Sequence, residues 1–132
     1  MYVMKKIMGL MIVAVMLIVA APAYSTRVSQ VFSCEMEDDA TEDQVNAGAA
    51  KWLKAAKGMK GGANLEAWVY YPVAVNDMGD NDLLFIVVAP SFEEWGVFWD
   101  NYEGSPAAKI DKENLEIVAC PDSALWESIP VK

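Results

Sequence analysis

The chain has no histidine among its 132 residues, only two cysteines, and about half as many basic residues as acidic ones, Lys and Arg together numbering 10 against 19 Asp and Glu. Without histidine a Cys-His zinc site, a His-ligated haem and a Ser-His or Cys-His catalytic dyad are all ruled out. The shortage of Lys and Arg argues against nucleic acid and anionic lipid as partners, because both are held by cationic side chains that neutralise phosphates. Cys34 and Cys120 form a lone pair, which in an oxidising compartment is more often bridged than free. Buried free thiols and an intermolecular bridge are the alternatives. No metal site and no cofactor motif emerges from the residue types present.

Long apolar runs are also missing, apart from one at the N-terminus. Lys5 and Lys6 precede the apolar stretch Ile7 to Ala21, and Ala21-Pro22-Ala23 supplies a small-residue cleavage site. This is the grammar of a secretory signal peptide over residues 1–23, with cleavage before Tyr24. The run is short of the roughly 18 to 20 residues a membrane span needs. The expected mature chain, residues 24–132, is one domain destined for the periplasm or the medium, free of the membrane once cleaved. Losing both leader lysines leaves 8 basic against 19 acidic residues, a net charge of −11 where the full chain carries −9.

The mature part reads as alternating strands and helices. Arg27 to Met36 alternates, with Val28, Phe32, Cys34 and Met36 on one side and Ser29, Ser33 and Glu35 on the other, as a half-buried strand should. Thr41-Glu42-Asp43-Gln44 has the form of a capping box. Val45, Ala49, Trp52, Leu53 and Ala56 then recur at helical spacing, and Gly58 suits a left-handed helix end. Leu65 to Val75 and Leu83 to Ala89 read as strands joined by the polar turn Asn76 to Asp82. Ser91-Phe92-Glu93-Glu94 opens a second helix whose Phe92, Trp95, Phe98, Trp99 and Tyr102 share one face, and Gly104 with Pro106 is expected to end it. Gly96, inside that helix, suggests close packing or a pocket mouth. A last strand is expected from about Asn114 to Cys120. Alternation places Cys120 opposite to Cys34, a mismatch that a bulge near Pro121 would repair.

This β-α-β-β-α-β order predicts an α+β, ferredoxin-like fold, a four-stranded antiparallel sheet with two helices on one face. Leu83 to Ala89 is apolar at every position, so both of its faces should be dry, whereas helices cover only one. A homodimer closing sheet on sheet through an isologous interface follows. The capped aromatic helix followed by Glu103-Gly104-Ser105-Pro106 and a final strand resembles the dimeric α+β barrel superfamily, and within it the antibiotic biosynthesis monooxygenase-like domains. Ala107 and Ala108 stand where that family tends to carry bulky residues, and no histidine is present to bind haem.

The resemblance implies a ligand cavity between the sheet and its own helices, near Phe32, Trp52, Trp68 or Tyr70, Trp95 and Trp99. An ordinary aromatic core is the plainer reading of the same rings. For oxygenation without a cofactor, Tyr70, Tyr71, Asn76, Trp68 and Asn101 are the hydrogen-bonding residues on offer, none at a diagnostic spacing. Asp77, Asp80 and Asp82 fit no calcium-loop register and read as a solvated turn. The expected function is an exported, non-catalytic binder of a small apolar or aromatic ligand or of a protein partner. A cofactor-independent monooxygenase-like enzyme is one alternative, and a structural or stress-related envelope protein a second.

Overall fold

The computed structural model describes residues 26–131. The leader and its cleavage site lie outside the described residues. Seven elements follow in order: β1 (Arg27–Met36), α1 (Glu42–Lys57), β2 (Glu66–Tyr70), β3 (Leu83–Ala89), α2 (Phe92–Asp100), α3 (Pro106–Asn114) and β4 (Val118–Ser128). The strands form one antiparallel sheet in the order β2-β3-β1-β4. Its fold is the ferredoxin-like α+β arrangement expected from the element order. Among the described residues no helix is long and apolar enough to cross a membrane.

Local chemistry starts each helix. The Thr41 hydroxyl accepts from the Gln44 amide at 3.3 Å while Gln44 Oε1 accepts from the Thr41 amide at 2.9 Å, completing the capping box of α1. The Ser91 hydroxyl accepts from the Glu94 amide at 3.1 Å at the start of α2. Acidic Glu42 and Asp43 occupy the first turn of α1 and Lys54 and Lys57 its last, each end suiting the helix dipole. Gly58 caps α1 in right-handed geometry, not the expected left-handed one; the positive φ of that turn falls at Gly61.

Three helices form, not two. Pro106 does not stop a helix but opens α3: the Ser105 hydroxyl accepts from the Ala108 amide at 3.1 Å and Pro106 takes the first position, where its missing N–H is no loss. Gly104, at φ +74°, makes the turn between α2 and α3. The last strand consequently starts later and runs further than expected, through Pro121 to Ser128. Proline is tolerated there because β4 is an edge strand. The second strand ends at Tyr70 instead of continuing to Val75, Pro72 lacking the amide to extend the ladder.

Alternation sorts the sheet into two faces. Val28, Phe32 and Cys34 of β1 and Leu83, Phe85 and Val87 of β3 face the helices and join the core with Trp52, Ala56 and Phe98. The opposite face carries Val31, Leu84, Ile86, Val88, Trp68, Tyr70 and Trp126, in rows set by the register Trp68↔Ile86, Ile86↔Val31 and Val31↔Ala124. Phe92 departs from the aromatic stripe of α2 and is exposed. Gly96 packs against nothing: a methyl group built there meets no atom within 4 Å.

Candidate functional site

Between the sheet and the helices lies a cavity of about 190 Å³. Phe32 and Cys34 of β1 and Leu83 and Phe85 of β3 form one wall. Across from them stand Val45, Gly48, Ala49 and Trp52 of α1, with Trp99 of α2 and Tyr102 from the turn that follows. Asp111 and Asn114 of α3, then Leu115, Ile117 and Cys120, complete it. Gln44, Asp111 and Leu115 line the cavity yet are themselves exposed, so the opening to solvent lies beside them.

The aromatic wall is a continuous cluster of tilted and edge-on rings. Trp52 meets Phe85 edge-on at 5.4 Å, Phe98 meets Trp99 at 5.0 Å, and Trp99 meets Tyr102 at 4.6 Å between centroids. These are the separations and tilts at which ring quadrupoles attract. Trp52 Nε1 donates to the Tyr102 hydroxyl oxygen at 3.0 Å. Burial pushes the Tyr102 hydroxyl up to about 12, with the nearby Asp111 charge adding to the rise and the Trp52 hydrogen bond opposing it. At neutral pH Tyr102 is thus a hydrogen-bond donor and not a base. Trp99 Nε1 is buried without a hydrogen-bond partner.

Backbone proximity shapes one side of the chamber. Asn114 Nδ2 donates to the Gly48 carbonyl at 3.2 Å, and a Cβ on Gly48 would sit 2.7 Å from Asn114 Oδ1. A side chain at position 48 would push the Asn114 amide out of this place. A short distance along the same helix pair, Lys51 meets Glu113 at 3.1 Å. At the far end Cys34 and Cys120 are joined in a disulfide. The register explains how: Ser33 faces Asp122 and Glu35 faces Ala119, so Cys34 opposes the two residues Cys120 and Pro121. That bulge turns Cys120 to the same face as Cys34.

Of the six aromatic residues expected at a pocket, Phe32, Trp52 and Trp99 line the cavity. Trp95 stands apart, donating through Nε1 to Gln30 Oε1 at 3.0 Å. Trp68 and Tyr70 lie on the other face of the sheet, 53% and 52% exposed, because their position in β2 pairs them with outward-facing Ile86 and Leu84. Of the remaining polar candidates, Asn76 is exposed and away from the cavity, and Tyr71 and Asn101 are engaged elsewhere. Tyr71 donates to Asn46 Oδ1 at 2.9 Å, and Asn101 Nδ2 donates to the Val97 carbonyl at 2.7 Å. In the acidic turn Asp77 accepts from the Gly79 amide and Asp82 from the Met36 amide, both at 2.7 Å. Among the described residues no group of three or more acidic or cysteine side chains is placed to hold a metal ion.

Sequence reasoning missed Phe85, Tyr102, Asp111 and Asn114 as site residues. The signal for the last two was present in Ser105-Pro106, an N-cap followed by proline at the first helical position, which makes a third helix that carries both to the cavity.

Beside the opening a second, shallower hollow is lined by Glu37, Asp38, Asp39 and Glu116, and it shares Gln44, Leu115 and Ile117 with the cavity.

No family model matches the chain, and no curated protein matches it. Solved structures do. The At3g17210 protein of Arabidopsis thaliana is 9% identical with a TM-score of 0.52, the match covering 81% of this chain and 96% of that one. A DABB family protein with a ferredoxin-like fold from Mesorhizobium loti is 8% identical with a TM-score of 0.50, covering 81% of this chain and 99% of that one. Likeness at this level of identity shows a shared fold.

Proposed function

We propose that the chain is an exported domain that binds one small apolar or aromatic molecule in the cavity between sheet and helices, without transforming it, and that it works as a homodimer. The observation that carries this reading is the cavity itself, about 190 Å³ and walled by Phe32, Trp52, Phe85, Trp99 and Tyr102. An apolar cavity of about 150 Å³ accepts benzene, so the fitting molecule has a single ring with one or two short substituents. The Tyr102 hydroxyl would orient it, while the rings supply the burial.

A binding role is favoured over oxygenation because Tyr102, the one hydroxyl among the lining residues, keeps its proton at neutral pH, and the one carboxylate, Asp111, is exposed to water at the opening and not held in a dry site. Titration with p-cresol, followed through tryptophan fluorescence and the indole NMR signals of Trp52 and Trp99, is expected to saturate at one molecule per chain. Ala49→Leu, which grows into the cavity, should abolish it. Failure to perturb either indole, or binding that ignores Ala49→Leu, removes the proposal, and oxygen uptake with quinol-like substrates would replace it with the monooxygenase-like alternative.

Export is supported by the leader pattern of residues 1–23 and by a disulfide that an oxidising compartment would preserve. N-terminal sequencing of the exported protein is expected to begin at Tyr24. An intact leader on the cell-associated protein would count against it.

A further inference from the structure

The cavity has a charge asymmetry that apolar binding leaves unexplained. Its aromatic walls are accompanied by one carboxylate, Asp111, and by no lysine or arginine among the lining residues. The hollow that carries Glu37, Asp38, Asp39 and Glu116 lies beside the opening and shares Gln44, Leu115 and Ile117 with the cavity. On the neighbouring helix faces Lys51 is paired with Glu113, and the whole chain bears a net charge of −9. One carboxylate thus lines the cavity and four more line the hollow beside it.

We infer that this cavity selects a single-ring organic ammonium ion, an arylalkylamine in its protonated form, whose ring lies among Trp52, Phe85 and Trp99 and whose ammonium group sits at the Asp111 side of the opening. This rests on the binding role proposed above and narrows it to one class of ligand. Two effects favour the cation. Aromatic faces attract a positive charge through their quadrupoles, and carboxylates within about a Debye length, roughly 8 Å at physiological salt, add to the attraction at the mouth. Both effects oppose a carboxylate on the same ring, and the negative field of the protein slows its approach. A neutral alcohol of equal size keeps the ring burial and loses the electrostatic gain.

Three probes of matched shape test this on the mature protein: 2-phenylethylammonium, 2-phenylethanol and phenylacetate, each titrated by calorimetry with indole NMR signals as the site marker. The ammonium ion is expected to bind roughly tenfold tighter than the alcohol, with phenylacetate weakest of the three. Asp111→Asn should lower the ratio of amine to alcohol affinity several-fold, and 0.5 M NaCl should lower it in the unaltered protein. The ratio remains readable if the substitution also weakens folding. Alcohol binding as tight as the amine, or a ratio indifferent to both salt and Asp111→Asn, overturns the charge selectivity while leaving the apolar cavity a binding site. Binding of none of the three overturns the binding role as well.

Discussion

Tyr102 is the residue on which the cavity's polar chemistry converges, since it accepts from Trp52, touches Trp99 ring to ring and senses Asp111. Tyr102→Phe keeps the ring and removes the oxygen, leaving Trp52 Nε1 as a buried donor without its partner. A loss of about 1 to 2 kcal/mol is expected in urea denaturation. The pH dependence carries a sharper signature. The hydroxyl is raised from 10.0 to about 12 in the folded chain, so the folded state holds its proton where the unfolded state has released it. The associated stability is complete below pH 10 and is lost as pH climbs from 10 towards 12. Tyr71 is raised in the same direction by burial and by Glu42 and Asp43, so part of the alkaline loss persists in the variant. Denaturation midpoints measured across that window should fall less steeply for Tyr102→Phe than for the unaltered chain; equal slopes would remove the coupling. At this scale the sequence was informative about which rings are large and apolar, less so about where they point. Trp52 and Trp99 could be placed from helical spacing, whereas Trp68 and Tyr70 depend on which face of β2 turns inward, and that register is set by β3.

Elements followed from their punctuation wherever it had one meaning. The N-caps at Thr41 and Ser91 located α1 and α2, and the apolar run of β3 identified a strand with one face in the core and an apolar, half-buried outer face. Pro106 and Pro121 have two meanings each, and both had to be decided by what surrounds them. Pro106 opens α3 because Ser105 caps it, and Pro121 continues β4 because the bulge opposite Cys34 frees it from the ladder. Glycines show the same ambiguity and yield a paired prediction. Gly61 holds φ +80°, and a Cβ there would lie 2.5 Å from the Phe98 amide nitrogen and 3.0 Å from the Glu94 carbonyl oxygen, all backbone and unable to yield. Gly61→Ala should destabilise by about 2 kcal/mol or more. Gly96 is helical with open space around its missing side chain, so Gly96→Ala should stabilise by about 1 kcal/mol through helix propensity alone. Thermal melting of the two variants is expected to move in opposite directions. A destabilised Gly96→Ala would mean that something covers the outer side of α2.

At the scale of the molecule the unresolved demand is the outer face of the sheet. Trp68, Ile86, Val31 and Ala124 run across all four strands in one row, with Val88 and Trp126 on one side and Leu84 and Tyr70 on the other. Trp126 is 60% exposed and Trp68 and Tyr70 about half so. Four strands at about 4.8 Å spacing and roughly 20 Å of strand length span about 400 Å² in plan, about half of the roughly 800 Å² that one partner contributes to a standard interface, so residues at the rim of the sheet have to join any contact made here. A second copy is the occupant proposed for this face, since a two-fold axis would set each apolar row against its equivalent and leave Arg27, Glu66 and Asp122 near the rim. The net charge of −9 opposes that union, so raising salt should tighten it, the reverse of the salt effect on ligand selectivity at the cavity. Sedimentation equilibrium is expected to give twice the mass of a single chain. Ile86→Lys, at the centre of the row, should shift it towards the single-chain mass, weakening association by about a hundredfold or more, and the exposed Trp126→Glu should do so more mildly without touching the core. A single-chain mass for the unaltered protein at high concentration and high salt would leave that face open to solvent and remove the homodimer from the proposed function.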